Sequence, residues 1–173
     1  MQEVISRHAD LDSARKAAVQ RITPIRNARY LLVSDAQTRV QKLRKGLLGF
    51  IEKQVLPVID GLDDGEKVSR QLVESLSAGN SMQQEHLGVW MGTCGNLRDV
   101  LINLLEGVEV RKMTVETGKP VDFDRQEPFD TEPDPDLNTE DIKEVSRNGY
   151  EYSAGKEGKF LVLRPAQVIV VKN

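Results

Sequence analysis

Residues 33–50, VSDAQTRVQKLRKGLLGF, decide how the first half of the chain folds. Val33, Ala36, Val40, Leu43, Leu47 and Phe50 recur at spacings 3-4-3-4-3, a heptad seam held over two and a half repeats. A stripe this narrow suits a helix that meets one partner helix rather than a broad core. Gly46 and Gly49 fall inside it and cost the helix about 1 kcal/mol each relative to Ala, so it needs that partner. Upstream, Val4, Leu11, Ala18 and Ile25 repeat every seven residues in another phase. Between the two phases stands Thr23-Pro24, where Thr suits a helix cap and Pro a first helical position. The pattern predicts helices over about 2–22 and 24–55, collinear with a kink or reversed. Leu56-Pro57 then disturbs the second of them.

Further on, Asp60-Gly61-Leu62-Asp63-Asp64-Gly65 reads as a break and residues 66–78 as a third helix, carrying Val68, Leu72, Val73 and Leu76. Gly79-Asn80-Ser81 reads as a turn with Ser81 capping a fourth helix that ends near Glu106. Trp90, Cys94, Leu97, Leu101 and Leu104 form its stripe, so Cys94 is expected to face a core. Gly107 ends the helical part. Val108-Glu109-Val110 and Met113-Thr114-Val115 read as strands, as do residues around Tyr150 and Tyr152, Phe160–Leu163 and Val168–Val171, with a turn at Gly155–Gly158. Residues 116–144 hold 11 Asp+Glu, 3 Lys+Arg and four of the seven prolines, and are predicted to be an exposed loop. The fold class is therefore α+β. Residues 1–56 form a long helical dimerisation element with a possible break near Pro24, residues 57–106 a short helical bundle, and residues 107–173 a small, mostly antiparallel β domain. An extended helix cannot cover its own narrow seam, so a coiled-coil-like homodimer is the physical expectation.

Composition limits the function. Of 173 residues 39% are apolar, 29% charged and 5% aromatic, and mean hydropathy is −0.42. No window reaches the roughly 18 unbroken apolar residues of a membrane span, and the opening Met1-Gln2-Glu3-Val4 lacks the basic-then-apolar pattern of a secretory leader. The compartment expected is the cytoplasm. One cysteine and two histidines exclude a disulfide framework and a Cys/His-rich metal centre. Residues 1–58 carry 11 Lys+Arg against 5 Asp+Glu, a mild excess with few aromatics to stack bases, which argues against nucleic acid.

Catalytic motifs are absent. His8 and His86 stand outside any H-E-x-x-H pattern, and there is no phosphate-binding loop, nucleophile elbow or dinucleotide fingerprint. Gly88, Gly92 and Gly95 lie within a helix, where close packing explains them better than a phosphate does. The acids Asp122, Asp124, Glu127, Asp130, Glu132, Asp134 and Asp136 lack the order of an EF-hand. Neither enzyme chemistry nor a cofactor or metal is expected. A protein of this kind works by touching something.

Three segments, in order, resemble the GrpE family of nucleotide exchange factors. Residues 50–62, FIEKQVLPVIDGL, resemble the family's helix ending in L-P-V-[LI]-D-N-L, with Gly61 where Asn is usual. Leu105-Glu106-Gly107-Val108-Glu109 is similar to its junction into the β domain. Gly149-Tyr150 followed by residues 163–172, LRPAQVIVVK, resembles its closing G-Y…L-R-P-A-x-V-x-V. Departures mark a divergent member: Ala28–Val33 is more apolar than usual, and a His-Glu pair appears as Gln126-Glu127. Residues 116–144 and the last hairpin look enlarged.

The resemblance implies a parallel dimer of long helices and one β domain per subunit. It implies a partner, the ATPase domain of a DnaK-type chaperone, whose nucleotide cleft one β domain wedges open so that ADP leaves. A role in protein folding and the stress response goes with it. Aligned contact candidates are Lys42 on the helix, Gly88 with Val89 in the bundle, Ser146 before Gly149-Tyr150, Lys159 after the hairpin and Val170 on the last strand. The dimer seam is Val33, Ala36, Val40, Leu43, Leu47 and Phe50. The competing reading is a coiled-coil scaffold or adaptor without exchange activity, which leaves the closing L-R-P-A-x-V strand without a role.

Overall fold

The structure is a computed structural model that describes residues 2–75, 81–155 and 158–173; of residues 2–10, 12 and 81 it describes the backbone alone. The expected turn at Gly79-Asn80 and the middle of the hairpin turn, Lys156-Glu157, lie outside the described residues. The chain divides into two units, Met1–Leu47 and Leu48–Asn173.

The first unit is helix throughout its described length, part of α1 (Gln2–Phe50). No break occurs at Pro24. Proline cannot donate to the Gln20 carbonyl, but residues around it are exposed and water can satisfy that group. Immediately before it, Thr23 donates its Oγ1 hydrogen to the Val19 carbonyl one turn back, at 2.8 Å. The seam residues are exposed in the single chain: Val33, Val40, Leu43, Leu47 and Phe50 range from 44% to 75%, and Ala36 is exposed too.

In the second unit α1 passes into a π-helical turn, Ile51–Val55, in which the Leu56 amide donates to the Ile51 carbonyl. The wider turn stands just before Pro57, which has no amide to give and whose ring crowds the preceding carbonyls. The disturbance expected at Leu56-Pro57 thus takes the form of a π-turn, and the helix resumes as α2 (Leu56–Ser75). The break expected at residues 60–65 is helical instead. Gly61 and Gly65 are poor helix formers, but Asp60 is tied by Arg147 and Arg164 and Asp63 by Asn148 and Arg98, and these tertiary bonds override the local preference. Helix α3 (Ser81–Gly107) packs on α2 and then on the first strand. It ends in a turn where Glu109, not Gly107, takes the left-handed conformation (φ 62°).

Among the described residues six strands follow: β1 (Val110–Lys112), β2 (Gln126–Glu132), β3 (Ile142–Arg147), β4 (Tyr150–Ser153), β5 (Phe160–Arg164) and β6 (Ala166–Val171). They form two three-stranded sheets, ordered β1-β4-β5 and β2-β6-β3. Pairing is antiparallel except between β2 and β6, which run parallel. Strand β2 lies inside the stretch expected to be loop throughout. It is an edge strand whose residues after Gln126 are all exposed, so its composition is that of a loop while its backbone completes a ladder.

One buried cluster joins helices to the first sheet through Ile51, Leu56, Ile59, Leu105, Val110 and Tyr150. A second, Ile142, Val168 and Val170, lies on the other sheet. Gly149 sits where the two sheets meet. A Cβ there would come within 2.5 Å of the Ala166 amide nitrogen and 2.8 Å of the Met113 sulfur, so glycine is required by contact rather than by φ. Cys94 is buried, as its place in the stripe predicts. Its stripe neighbours Trp90, Leu97 and Leu104 are more than half exposed. Among the described residues no helix is long and apolar enough to cross a membrane.

Candidate functional site

Beside that apolar cluster, charge also fixes the β module, residues 110–173, to α2. Asp60 projects from the second turn of α2, and two arginines from different sheets converge on it. Arg164, at the end of β5, closes a two-bond fork, with Nη1 to Oδ2 and Nη2 to Oδ1 both at 2.7 Å. Arg147, at the end of β3, donates Nε to Oδ2 at 2.8 Å. Arg164 is 11% exposed at its side chain and Asp60 15%, so water screens this pair little. Arg164 also donates to the Asn148 carbonyl at 2.8 Å and lies over the Tyr150 ring at 5.3 Å.

One turn along α2, Asp63 accepts from Asn148 Nδ2 at 3.1 Å and from Arg98 of α3 at 3.3 Å. Arg98 also reaches Glu66 and Asp99. Burial lowers the Arg98 pKa, but the three carboxylates outweigh it and leave the guanidinium above its ordinary value. Tyr150 is nearly sealed, 1% exposed. Burial first, then the charge of Asp63, pushes its hydroxyl up to about 12. Within the module Glu151, buried, accepts from Arg111 at 2.8 Å and from Arg125 at 2.8 Å, which joins the first sheet to the approach of β2.

Beside the Asp60 joint runs a groove of about 530 Å³, lined by Asp64, Lys67, Glu144, Ser146 and Gln167 among others. Of the sequence candidates, Ser146 is exposed on its wall. Val170 lies toward the other end of β6, 8% exposed, and borders a smaller apolar groove of about 260 Å³ with Val121, Phe123 and Pro128. The register pairs Val170 with Ile142 and Gln167 with Arg147, so Ser146 and Val170 serve different grooves on neighbouring strands. Lys159 is exposed before β5, its carbonyl accepting from the Ala154 amide at 2.8 Å. Gly88 is exposed on α3 with open space where a Cβ would stand. Lys42 is exposed on α1 in the first unit.

Sequence reasoning missed the Asp60 joint and the exposed aromatics Phe123 and Phe129, 72% and 65% accessible. A signal for the joint existed. Arg164 stands in an otherwise apolar strand and needs a carboxylate, while the acids of residues 60–64 read locally as turn formers.

This arrangement offers surfaces for docking. Among the described residues no three His, Cys, Asp or Glu side chains come together as a metal site. Comparison with curated proteins returns no match. A family model, described as GrpE, matches residues 32–172, from the start of the heptad seam through the last strand. On that match over most of its length, the chain belongs to the GrpE family of co-chaperones.

Proposed function

We propose that the chain is a nucleotide exchange factor that binds the ATPase domain of a DnaK-type chaperone in the cytoplasm and promotes release of ADP. The observation that carries this reading is the family match, which spans the helical seam and the whole β module. The working form is a parallel homodimer. Its support is the apolar surface that a single chain leaves open: the α1 seam, Val68 and Leu72 on α2, and Trp90, Leu97 and Leu104 on α3. Scattered exposed apolar residues are ordinary, but rows at helical spacing mark an interface.

No side chain need do chemistry. A protein that binds the open, nucleotide-free chaperone more tightly than the closed ADP form shifts the population toward opening. Linkage makes nucleotide weaken the complex by the same factor, so rebinding of ATP releases the exchange factor. Contacts are proposed at Lys42, Gly88, Ser146, Lys159 and Val170, the last beside the apolar groove with Phe123. Rim cations such as Lys42 and Lys159 tune association rate and salt dependence more than affinity.

The test is release of a fluorescent ADP from a DnaK-type chaperone of the same organism, followed with and without the protein. The reading predicts a large acceleration that saturates with protein concentration. Unchanged release would overturn it and leave a scaffold built on the same helices.

A further inference from the structure

Two kinds of contact hold the β module on α2. The buried cluster of Leu56, Ile59, Leu105, Val110 and Tyr150 is apolar and therefore non-directional; it resists separation more than it resists rotation. The ion pairs are directional, because a guanidinium fork and a carboxylate meet in one plane and one register. Asp60 is where that direction is set. Both sheets reach it, Arg147 from the β2-β6-β3 sheet and Arg164 from the β1-β4-β5 sheet, so one helix residue fixes the two sheets at once. Asp63 adds the corner between β3 and β4 through Asn148. Elsewhere along this seam Lys67 and Glu144 meet at 3.5 Å with both side chains more than half exposed, a pair too solvated to steer anything.

We propose that Asp60 is a positioning residue for nucleotide release: its fork with Arg164 and its ion pair with Arg147 fix the orientation in which α2 presents the β module to the chaperone. The claim deepens the exchange-factor reading and rests on it. A module that pivots on its apolar cluster still presents the same contact surface, so it docks. It cannot hold a cleft open against the closing force, because the load turns the module instead of the chaperone lobe. Loosening the joint therefore reduces the maximal acceleration of release and leaves the half-saturating concentration nearly unchanged.

The experiment measures ADP release against protein concentration for the full chain and for Asp60→Asn, Asp60→Glu and Arg147→Gln. Asp60→Asn keeps the side-chain shape and removes the charge both arginines share. It is expected to lower maximal acceleration about tenfold while half-saturation moves less than about threefold. Asp60→Glu, which restores the carboxylate, recovers part of the loss, and Arg147→Gln, which spares the Arg164 fork, gives an intermediate rate. Amide hydrogen exchange on the same proteins separates positioning from folding. Asp60→Asn should quicken exchange around residues 145–150, where Arg164 holds the Asn148 carbonyl, and leave α3 and β6 as they are.

Wild-type maximal acceleration in Asp60→Asn overturns the proposal, as does a loss confined to half-saturation or a uniform rise in exchange along the chain. If Asp60→Asn does not fold, Arg147→Gln decides: full activity there overturns the claim, and a lowered maximum with intact half-saturation supports it. Failure of the parent chain to accelerate ADP release from the chaperone is seen before any variant is compared. It removes the exchange-factor reading and the positioning role together.

Discussion

Tyr150 carries a hydroxyl that is buried and, among the described residues, meets no hydrogen-bond partner. Burial raises its pKa from 10 to about 12. Below pH 10 the group is protonated in both folded and unfolded chains and contributes no pH dependence. As pH climbs from 10 the unfolded tyrosine ionises and the folded one does not, so stability is lost until the folded group also titrates near 12. The stability lost between those two values is roughly 3 kcal/mol. Tyr150→Phe removes the hydroxyl and keeps the ring beneath Arg164. Thermal melts should show the variant as stable as the parent or more so at pH 7, and clearly more stable at pH 11. A loss above about 1 kcal/mol at pH 7 would mean the hydroxyl is bonded after all. Legibility at this scale was uneven. Gly149 and Arg164 stood out as letters in a motif, but their roles come from neighbours remote in the chain. Gly149 is needed because Ala166 crosses it, and Arg164 is needed by a carboxylate 104 residues away. A sequence shows that a charge exists, not which partner it finds.

Elements with a strong period were legible and elements held by tertiary contact were not. The heptads of residues 33–50 and the stripe through Cys94 became helices because their spacing leaves no other way to gather apolar side chains. Pro24 and the run Asp60–Gly65 read as breaks because propensity is local. In the fold an exposed turn tolerates the first, and Arg147, Arg164 and Asn148 bind the acids of the second. Strand β2 was hidden because an exposed edge strand gains its place from the β6 backbone and shows no alternation. The open face of α3 belongs to this scale as well. Leu97 is 53% exposed at the centre of a row with Trp90 and Leu104. Leu97→Glu should therefore spare the helix and remove two half-exposed leucines from the proposed dimer interface, roughly 1–1.5 kcal/mol each for the half that pairing would bury. Sedimentation at micromolar concentration should find the parent at twice the chain mass and the variant shifted toward monomer, with unchanged helical circular dichroism. A parent that sediments as a monomer, or a variant that stays dimeric, contradicts the assigned interface.

The molecule as a whole carries a mild positive excess in its first 58 residues and acids concentrated in residues 116–144. Its two units divide the proposed labour: the first bears Lys42 and the seam from Val33 to Leu47, and Leu48–Asn173 bears Phe50, the β strands and both grooves. The central claim is that this assembly prefers a chaperone without nucleotide. A ligand with equal affinity for two states shifts nothing, however tightly it binds. The most direct measurement is calorimetric binding of the full chain to the ATPase domain of a DnaK-type chaperone, first without nucleotide and then saturated with ADP. The account predicts that ADP weakens binding by the same factor by which the protein weakens ADP, within the usual coupling of about 5- to 150-fold. Equal affinity in the two titrations would contradict it.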